Sequence, residues 1–440
     1  MSLPRYSEYK DSGVAWLNSV PVDWMVRRLG FFFEERREKV SDKDFPALSV
    51  TKSGIVPQLE TAAKTDDGDN RKKVCAGDFV INSRSDRKGS AGASSLDGSV
   101  SLINTVLRPL AGIDIGFVHH LLRSIPFQEE FYRYGKGIVA DLWSTNYSEM
   151  RNIVLALPSI PEQTAIATFL DRETGKIDAL IAEQEKLLAL LAEKRQATIS
   201  HAVTKGLNPD APMKDSGVAW LGEVPGHWLV GKAGFYISVL PGYAFSSAGF
   251  SIDENNVKLL RGINVGVGEL RWDEVVYWSR TEDDGLEAFE LHEGDVVIGM
   301  DRPLISTGMR VAVVKNHDLP CLLLQRVAKI QAGPLIDRRF IMRLLCSRAF
   351  EAHFAPDTTG VSVPHISGEQ ILNFVIPVPP QDEQQQICEF LESELAKLDS
   401  LNYESERAIA LLKERRSALI AAAVTGQIDV RGLVTEPEAA

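Results

Sequence analysis

The stretch PEQTAIATFLDRETGKIDALIAEQEKLLALLAEKRQATISHAVTKG, from Pro161 to Gly206, decides the fold of this chain. Apolar residues recur in it at intervals of three and four, which is the pattern of a helix with one buried face. Pro161 suits a first helical turn, and Gly206 supplies a stop. We expect one helix of about 40 residues, roughly 60 Å long at a rise of about 1.5 Å per residue. A helix of that length cannot bury its apolar face alone.

A second stretch, PQDEQQQICEFLESELAKLDSLNYESERAIALLKERRSALIAAAVTGQ from Pro380 to Gln427, aligns with the first at a constant shift of 221 residues. Its apolar residues keep the four-three spacing of a coiled-coil seam, with polar Asn402 and Ser405 in the middle. We predict that the two helices pair, although a helical hairpin that merely packs a core is the alternative. The predicted seam or partner-facing positions are Ile177, Ile181, Leu188, Leu191, Leu395, Leu398, Asn402, Ile409 and Leu412.

Length and composition favour a multidomain protein without a membrane segment. A chain of 440 residues predicts about two to four domains, and 44% hydrophobic with 25% charged residues is ordinary for globular protein. No apolar run reaches about 18 residues, and MSLPRYSEYK is no signal peptide, so we expect a cytoplasmic protein. The four cysteines lie far apart without a CxxC pair, which predicts neither a disulfide framework nor a zinc site.

The net charge of −12 weighs against a small DNA-binding domain that acts alone, because phosphate contacts usually require a basic surface. Charge can nevertheless be segregated by surface, and partner subunits can supply a positive field.

An octapeptide, KDSGVAWL, occurs twice, at Lys10–Leu17 and at Lys214–Leu221. Each copy is followed by Val-Pro-x-x-Trp, which ends at Trp24 and at Trp228. The Gly, Pro and Trp pattern predicts a compact, turn-rich segment whose indoles anchor it to a neighbour. We interpret these two lead-in segments as structural, without chemistry of their own.

A region of mixed strand and helix character follows each lead-in segment. AGDFVIN, from Ala76, and EGDVVIG, from Glu293, each predict a turn that enters a buried strand, and Phe117–Phe131 and Phe340–Phe354 each predict one amphipathic helix. A Gly-rich loop and a short apolar strand then lead to each long helix. The chain therefore reads as a tandem duplication of α+β class. Its predicted parts are 1–158 (lead-in and first domain), 159–206 (helix), 207–378 (lead-in and second domain), 379–427 (helix) and 428–440 (tail).

These motifs resemble the specificity (S, HsdS-type) subunits of type I restriction-modification systems, over nearly the whole chain. The resemblance rests on the lead-in segments, on the approaches LPSIPEQ (from Leu157) and IPVPPQDEQ (from Ile376), and on the EKR and ERR endings of the helices. The second approach has Pro-Gln-Asp-Glu-Gln where the first has Ile-Pro-Glu-Gln, a minor departure.

The resemblance implies two target recognition domains, separated by two long antiparallel helices and related by pseudo-two-fold symmetry. Each domain is expected to read one half of a bipartite, asymmetric sequence in double-stranded DNA, while the coiled coil sets the spacing and docks two modification (methyltransferase) subunits. Those subunits are expected to use S-adenosylmethionine, and restriction (translocase/endonuclease) subunits to use ATP and magnesium. The chain itself is expected to carry no cofactor and no metal.

The absence of catalytic motifs agrees with this resemblance, and we expect a chain that is not an enzyme. It contains no Asn/Asp-Pro-Pro-Tyr/Phe methyltransferase motif, no FxGxG cofactor loop and no GxxxxGK[ST] phosphate loop. Adjacent His119 and His120 lie about 100° apart on a helix, so we expect one to face the core and the other solvent rather than a shared metal.

Residues that read DNA must present donors and acceptors to a groove. In RSDRKGSAG, from Arg84 to Gly92, cations alternate with small residues directly after a predicted strand, although a solvated loop is the alternative. The candidates are Arg71, Lys72, Lys73, Asn82, Ser83, Arg84, Arg87 and Lys88 in the first domain, Arg261, Asn264, Arg271, Arg302, Thr307 and Arg310 in the second, and Lys136 and His365 in the Gly-rich loops.

Two other functions are open at this point. A stand-alone enzyme requires a catalytic constellation that the sequence does not show. A coiled-coil adaptor that binds only proteins explains the helices, but it does not explain two divergent domains.

Overall fold

The computed structural model describes residues 3–60, 68–137, 143–305, 308–358 and 364–433. The chain forms two compact units, unit 1 (Met1–Glu185 with Glu406–Ala440) and unit 2 (Lys186–Ser405). Two long helices, α5 (Ile160–Lys205) and α9 (Gln381–Val424), each contribute one segment to each unit. The predicted long helices and the mixed α+β class are thus confirmed. Each compact unit combines an α+β domain with segments of the long helices, whereas the predicted boundaries separate the domains from the helices.

Unit 1 combines short strands with short helices. Its strands are β1 (Tyr9–Asp11), β2 (Ser19–Pro21), β3 (Met25–Arg28), β4 (Phe33–Glu35), β5 (Lys39–Val40), β6 (Leu48–Thr51), β7 (Gly54–Pro57), β8 (Arg71–Val74), β9 (Phe79–Asn82), β10 (Ala91–Ala93), β11 (Gly98–Val100), β12 (Asn104–Pro109) and β13 (Val154–Leu157). Its short helices are α1 (Leu29–Phe32), α2 (Ile115–Leu121), α3 (Ile125–Arg133) and α4 (Tyr147–Met150).

Unit 2 has a comparable series of elements. Its strands are β14 (Met213–Asp215), β15 (Glu223–Pro225), β16 (Leu229–Lys232), β17 (Ile237–Pro241), β18 (Val257–Leu260), β19 (Tyr277–Trp278), β20 (Val296–Gly299), β21 (Leu304–Ile305), β22 (Gly308–Met309), β23 (Val311–Val313), β24 (Cys321–Leu323), β25 (Val327–Ala332) and β26 (Val375–Val378). Its short helices are α6 (Arg338–Leu345), α7 (Arg348–Thr358) and α8 (Gly368–Asn373).

Each unit is built on one antiparallel, four-stranded sheet. The strand order is β10-β9-β12-β4 in unit 1 and β23-β20-β25-β17 in unit 2, so elements in matching sequence positions occupy matching places. Every residue of β9 and of β20 is buried, as the sequence predicts for these strands. The second, three-stranded sheets differ: β11-β8-β5 is antiparallel, whereas β18 and β24 in β19-β18-β24 run parallel. The two units therefore have central sheets of the same strand order, and they differ in the elements around those sheets.

One predicted helix in each unit is wrong, because the structure has two. In unit 1, α2 ends near Leu122 and α3 begins after Ser124, whose hydroxyl accepts a hydrogen bond from the Phe127 amide. In unit 2, the Phe350 amide donates to the Ser347 hydroxyl in the same way. A serine that caps a new helix competes with continuation of the preceding one, and the apolar periodicity conceals this break.

Glutamine in the Glu-Gln pair of each approach motif anchors the start of a long helix. The Gln163 side chain accepts a hydrogen bond from the Asp114 amide at 2.8 Å and donates to the Pro158 carbonyl at 2.9 Å. Gln384 accepts from the Asp337 amide at 2.7 Å and donates to the Pro379 carbonyl at 2.8 Å. Each long helix is thus fixed to the loop that precedes α2 or α6.

Glutamate in the same motif binds the lead-in segment. In unit 1, the Trp24 indole N–H and the Tyr6 hydroxyl donate to Oε1 of Glu162 at 3.1 and 2.7 Å. In unit 2, the Trp228 indole donates to Oε2 of Glu383 at 3.0 Å. A carboxylate in the first turn of a helix also interacts favourably with the helix dipole. Both indoles are buried and anchor the lead-in segments to a neighbouring element, as predicted, and the structure identifies that element as the start of a long helix.

The lead-in segments also meet the end of the other long helix. Gly426 lies two residues beyond the end of α9, packs against Pro21 and Trp24 of unit 1, and has a φ of +74°, which favours glycine. Gly206 directly follows α5, has a φ of +75° and packs against Trp228 of unit 2. In each unit, the start of one long helix therefore lies beside the end of the other, and the helix segments run antiparallel.

Matching ion pairs join the helix segments within each unit. Arg416 forms two hydrogen bonds to the Asp178 carboxylate in unit 1, at 2.8 and 3.1 Å, and Arg195 binds Asp399 in unit 2.

The residues of the predicted seam lie on the buried faces of the two long helices. Ile177, Ile181, Leu191, Leu395, Leu398 and Ile409 are buried, whereas Leu188, Asn402 and Leu412 are half-buried.

Asn402 offers a test of the polar seam position in unit 2. Its side-chain oxygen is buried and accepts no hydrogen bond from the part of the chain that the structure describes. An unsatisfied buried polar group costs about 1 to 3 kcal/mol, so we expect Asn402→Leu to raise the free energy of unfolding by about 1 kcal/mol or more. Urea titration checks this. Ile181, at the matching position of α5, is already apolar, and Ile181→Asn is expected to lower stability.

Among the described residues, no helix combines the length and the apolar character that crossing a membrane requires.

Candidate nucleic-acid interface

A cleft in unit 1 opens where β9 ends. Beyond β9, the Ser83 carbonyl accepts a hydrogen bond from the Thr145 amide at 2.9 Å, and Arg84 pairs with Ser144 in an isolated bridge. The end of a buried strand thereby meets the loop that precedes α4. We call the resulting cavity of about 440 Å³ the first cleft. It is lined by Glu35, Arg37, Lys72, Ser83, Arg84, Leu102, Ile103, Thr105, Ser144, Asn146, Tyr147 and Ser148.

Unit 2 has a larger cleft at the end of β20. The Ile366 amide donates to the Met300 carbonyl at 2.9 Å, and Asp301 pairs with His365. We call the adjoining cavity of about 820 Å³ the second cleft. It is lined by Phe245, Ser247, Phe250, Arg261, Gly262, Ile263, Val265, Gly266, Arg271, Asp301, Arg302, Ile305, Arg310, Leu324, Gln325 and Arg326.

The two clefts occupy the same place in the two units but differ in chemistry. Each lies where the loop after the central strand, at Arg84 or Asp301, bridges to the loop before the last short helix. The first cleft is lined mainly by hydroxyl groups, three cations and one carboxylate. The second has five arginines and two phenylalanines. A shared scaffold thus presents two different sets of donors and apolar groups.

Two arginines of the second cleft have left-handed backbone conformations. The φ of Arg302 is +44° and the φ of Arg326 is +73°. Such a conformation costs about 1 to 3 kcal/mol in a residue other than glycine, and it persists only where neighbours enforce it. The Arg302 amide donates to the Pro364 carbonyl at 2.7 Å, and the Arg326 guanidinium lies 3.2 Å from Asp301. The surrounding loops therefore hold both arginines at the cleft.

Asp301 joins the elements around the second cleft. Its carboxylate lies 2.7 Å from Nδ1 of His365 and 3.2 Å from the Arg326 guanidinium. Its carbonyl accepts a hydrogen bond from Nη1 of Arg310 at 3.2 Å, while Nε of Arg310 donates to the Val265 carbonyl at 2.8 Å. Burial lowers the pKa of Arg310. Arg310 and His365 thus stabilise the cleft, whereas the side chain of Arg302 is exposed and has no hydrogen-bond or ion-pair partner among the described residues.

Several predicted candidates hold the scaffold rather than line an open surface. Arg71 is only 4% exposed and donates to the hydroxyl and the carbonyl of Ser99, and burial lowers its pKa. Asn82 is buried and accepts from the Arg84 amide at 3.1 Å. Asn264 is buried and donates to the Arg271 carbonyl at 2.9 Å. Their polarity therefore has a structural explanation.

The other candidates are distributed over the surface. Lys72 and Ser83 line the first cleft, with Lys72 bonded to Glu35 at 3.1 Å and Ser83 to the Ile103 carbonyl at 2.5 Å. Three candidates lie near carboxylates: Lys73 (Glu38), Arg87 (Asp86) and Lys136 (Glu149). Lys88 lies over the Tyr132 ring in a different cavity of unit 1. Thr307 lies outside the described residues. DNA contact by any candidate stays a prediction.

The second cleft also contains residues that the sequence did not indicate. Arg326 lies in the turn between β24 and β25, and Phe245 and Phe250 belong to an irregular segment after β17. None belongs to a repeated motif or a basic cluster, so no local signal marks them. Ile263, which is 57% exposed at the same cleft, is a further apolar group that only the structure locates.

Within the described residues, no group of three or more His, Cys, Asp and Glu side chains is placed to hold a metal ion. His120 is buried and hydrogen-bonded to Asp171 at 2.7 Å. His119 does not face open solvent as expected, because it is half-buried beside Arg123.

The comparisons with known proteins agree on one family. Residues 269–409 match the model of the type I restriction modification DNA specificity domain. The chain is 27% identical over 425 residues to the MjaVIII specificity subunit of Methanocaldococcus jannaschii, an alignment that covers 94% of this chain and 95% of that protein. Over nearly its whole length, this chain is similar to a type I restriction-modification specificity subunit.

Further similarities concern part of the chain or its fold. The EcoAI specificity subunit of Escherichia coli is 32% identical over 219 residues, which is 50% of this chain and 36% of that protein. A chain from a solved structure concerning complex assembly and conformational transition of the type I system has a TM-score of 0.71, with 17% identity over 92% of this chain and 98% of that one. The HsdS subunit of Thermoanaerobacter tengcongensis has a TM-score of 0.52, with 17% identity over 93% and 98%. These structures share the fold of this chain.

Proposed function

We propose that this chain is the DNA-specificity subunit of a type I restriction-modification complex and that each unit reads one half of a bipartite, asymmetric target. The observation that supports this most directly is the pair of clefts. They lie at the same loop junction of two units built on the same sheet, yet they are lined by different side chains. A bipartite target requires such a combination of equivalent position and different chemistry.

The cleft chemistry fits base recognition. An arginine presents a planar fork of donors that pairs with the O6 and N7 acceptors of guanine, and apolar groups contact the thymine methyl. The second cleft provides both kinds of group, whereas the first offers Arg84 with serine, threonine and asparagine side chains. We propose Arg302 and Arg326 as readers in unit 2 and Arg84 in unit 1.

The long helices suit a role in spacing and assembly. Ion pairs and buried apolar residues fix the antiparallel register of the helix segments within each unit. Leu180 and Leu401 remain 54% and 51% exposed on α5 and α9. We propose that the helices set the distance between half-sites and dock two modification subunits, to which restriction subunits are added.

We propose that the chain itself is not catalytic. In this proposal, S-adenosylmethionine binds to the modification subunits, and ATP and magnesium are used by the restriction subunits. The net charge of −12 is compatible with DNA binding because partner chains can contribute the positive field that encloses the duplex.

Methylation mapping tests the proposed function. The chain is co-expressed with its modification subunit, and N6-methyladenine is mapped across the host genome by long-read sequencing. We expect one bipartite motif with a fixed gap, which disappears when this chain is deleted. A complex that assembles normally but methylates without any sequence preference would contradict the proposal and favour a coiled-coil adaptor.

Exchange of one domain provides a sharper prediction. The Leu29 amide donates to the Ile153 carbonyl at 2.7 Å and the Gly30 amide to the Arg151 carbonyl at 3.0 Å, so the β3–β13 ladder closes the base of the domain. Residues 31–151 of a relative can therefore replace those of this chain while the base stays intact. We expect one half of the methylated motif to change, with the other half unaltered. A change in both halves would contradict separate reading by the two units.

A further inference from the structure

A second basic cavity of unit 1 lies on the other side of the Arg84–Gly92 loop, between α2, α3 and α9. Its volume is about 400 Å³. Lys88 of the loop lines this cavity, whereas Arg84 lines the first cleft. The cavity is lined by Lys52, Lys88, Gly89, His119, His120, Arg123, Gln128, Arg416 and Ile420. Four of these residues are permanent cations, and none is a carboxylate.

Arg123 is the least compensated of these cations. It is half-buried, and its guanidinium donates to the Lys52 carbonyl at 2.5 Å and lies 2.5 Å from Nε2 of His119. Neither neighbour is negatively charged, and no carboxylate of the described residues pairs with Arg123. Burial and the nearby Arg416 lower the pKa of Arg123. Partial burial of a cation without a counter-ion is unfavourable, and a ligand that supplies negative charge removes this cost.

Around His119, N–H donors also outnumber the acceptors available to them. The Ala93 amide donates to its Nδ1 at 3.3 Å, while Arg123 faces its Nε2. A neutral imidazole has one N–H and one lone pair, so it cannot accept from both neighbours. Burial and Arg123 lower the pKa of His119 to about 4, so the ring is neutral near pH 7. An oxyanion in the cavity provides acceptors both for Arg123 and for an imidazole N–H.

The carboxylates around the cavity are already engaged. Asp178 pairs with Arg416 and Asp171 with His120, and both carboxylates are mainly exposed. Lys88 lies 5.2 Å from the Tyr132 ring centre, and neither it nor Lys52 pairs with a carboxylate in the part of the chain that the structure describes. Two flexible ammonium groups and one arginine fork therefore face a cavity without internal counter-charge.

We propose that this cavity binds a phosphate group, which is held by Lys52, Lys88 and Arg123. A phosphate offers several acceptor oxygens and enough charge to balance these donors. The group can come from the backbone of a DNA duplex, in which case the site rests on the proposed function, or from a free phosphate anion. The site is particular to unit 1, because Cys346 stands in unit 2 at the position that matches Arg123.

The first experiment measures inorganic phosphate binding to the full chain. Thermal unfolding is followed in phosphate and in chloride at equal ionic strength, for the unmodified chain and for a Lys52→Gln/Lys88→Gln variant. Both lysines are exposed, so the variant is expected to fold. Saturating phosphate is expected to raise the Tm of the unmodified chain by about 2 °C or more, and this rise is expected to disappear in the variant. The control, Lys39→Gln/Lys43→Gln, removes two exposed charges of unit 1 that do not line the cavity, and it should keep the response.

The second experiment separates the two sources of phosphate. Binding to a duplex without the target motif is measured against salt concentration for the same variants. If a DNA phosphate occupies the cavity, log K falls less steeply with log salt in the Lys52/Lys88 variant, and the magnitude of the slope decreases by about 1 or more. Inorganic phosphate is then also expected to compete with the duplex. A free-anion site predicts a Tm response with an unchanged slope.

The proposal is overturned if neither response occurs, or if both double variants respond alike. Discrimination between target and non-target duplexes is measured in parallel, so a failure of the phosphate site and a failure of sequence reading are observed separately.

Discussion

Replacement of Arg302 by alanine is expected to relax recognition at one half of the bipartite target and to leave the other half unchanged. Arg302 is exposed, lines the second cleft and has no hydrogen-bond or ion-pair partner for its side chain in the described part of the chain. Its backbone has a φ of +44°, and its amide donates to the Pro364 carbonyl, which fixes the residue at the cleft. The guanidinium therefore remains available to contact DNA. A bidentate arginine–guanine contact contributes about 1 to 3 kcal/mol of discrimination, which predicts a loss of roughly 5- to 150-fold.

Arg84→Ala is the matched variant in unit 1. It removes the same fork from the equivalent loop junction, where Arg84 is 43% exposed at the side chain and lies 3.4 Å from Asp86. Methylation of a panel of duplexes, each with one substitution in one half-site, is measured for the complex with either variant. The two variants should relax opposite halves. If one variant lowers methylation of every duplex equally, its arginine contacts phosphate, and if both affect the same half, the assignment of one half to each unit is wrong.

The scaffold was predictable from sequence because it is specified by local, repeated signals. The apolar spacing in the two stretches predicts the long helices α5 and α9 directly. Because the pattern occurs twice, the prediction of each helix supports that of the other. The Glu-Gln pairs were recognised only as a family feature. The structure explains them: the glutamine satisfies backbone groups at a helix start, and the glutamate accepts from a tryptophan far away in sequence.

The helix breaks at Ser124 and Ser347 were missed for a physical reason. Apolar residues continue on one face through both sites, so periodicity alone predicts one helix. The break depends on a serine hydroxyl that caps the next helix, which is a weaker signal than the apolar pattern.

The residues that line the clefts were predicted only in part, because each cleft is assembled from segments that are distant in the sequence. Arg84 was indicated by its place just after a predicted strand, which fixes its position at the sheet end, whereas Arg302 was named only as a candidate cation of the second domain. Arg326 reaches the same cleft through the turn between β24 and β25, and the phenylalanines through a segment near residue 250. Residue type alone also fails to separate a reader from a scaffold: Arg71 and Arg302 look equally suitable, yet one is buried against Ser99 and the other is exposed.

The anchor between Trp24 and Glu162 leads to the largest stability effect that we expect. Trp24 is 1% exposed and contacts Phe117, Tyr6 and Gly426, which lies just beyond the end of α9. Trp24→Ala removes this packing and leaves a cavity, for which the expected loss is about 3 to 5 kcal/mol of unfolding free energy. Trp24→Phe keeps an aromatic ring but removes the N–H that Glu162 accepts at 3.1 Å. Its expected loss is about 1 to 3 kcal/mol, because the Tyr6 hydroxyl remains as the other donor.

Trp16 provides the matched control within the same lead-in segment. Its indole nitrogen is also buried, but it has no hydrogen-bond partner among the described residues. Trp16→Phe therefore removes an unsatisfied donor, and we expect little loss or a slight gain in stability. Urea unfolding followed by far-UV circular dichroism compares the three variants without relying on tryptophan fluorescence. If Trp16→Phe and Trp24→Phe destabilise unit 1 equally, the hydrogen bond to Glu162 is not what fixes the start of α5, and the packing of the ring alone must account for the anchor.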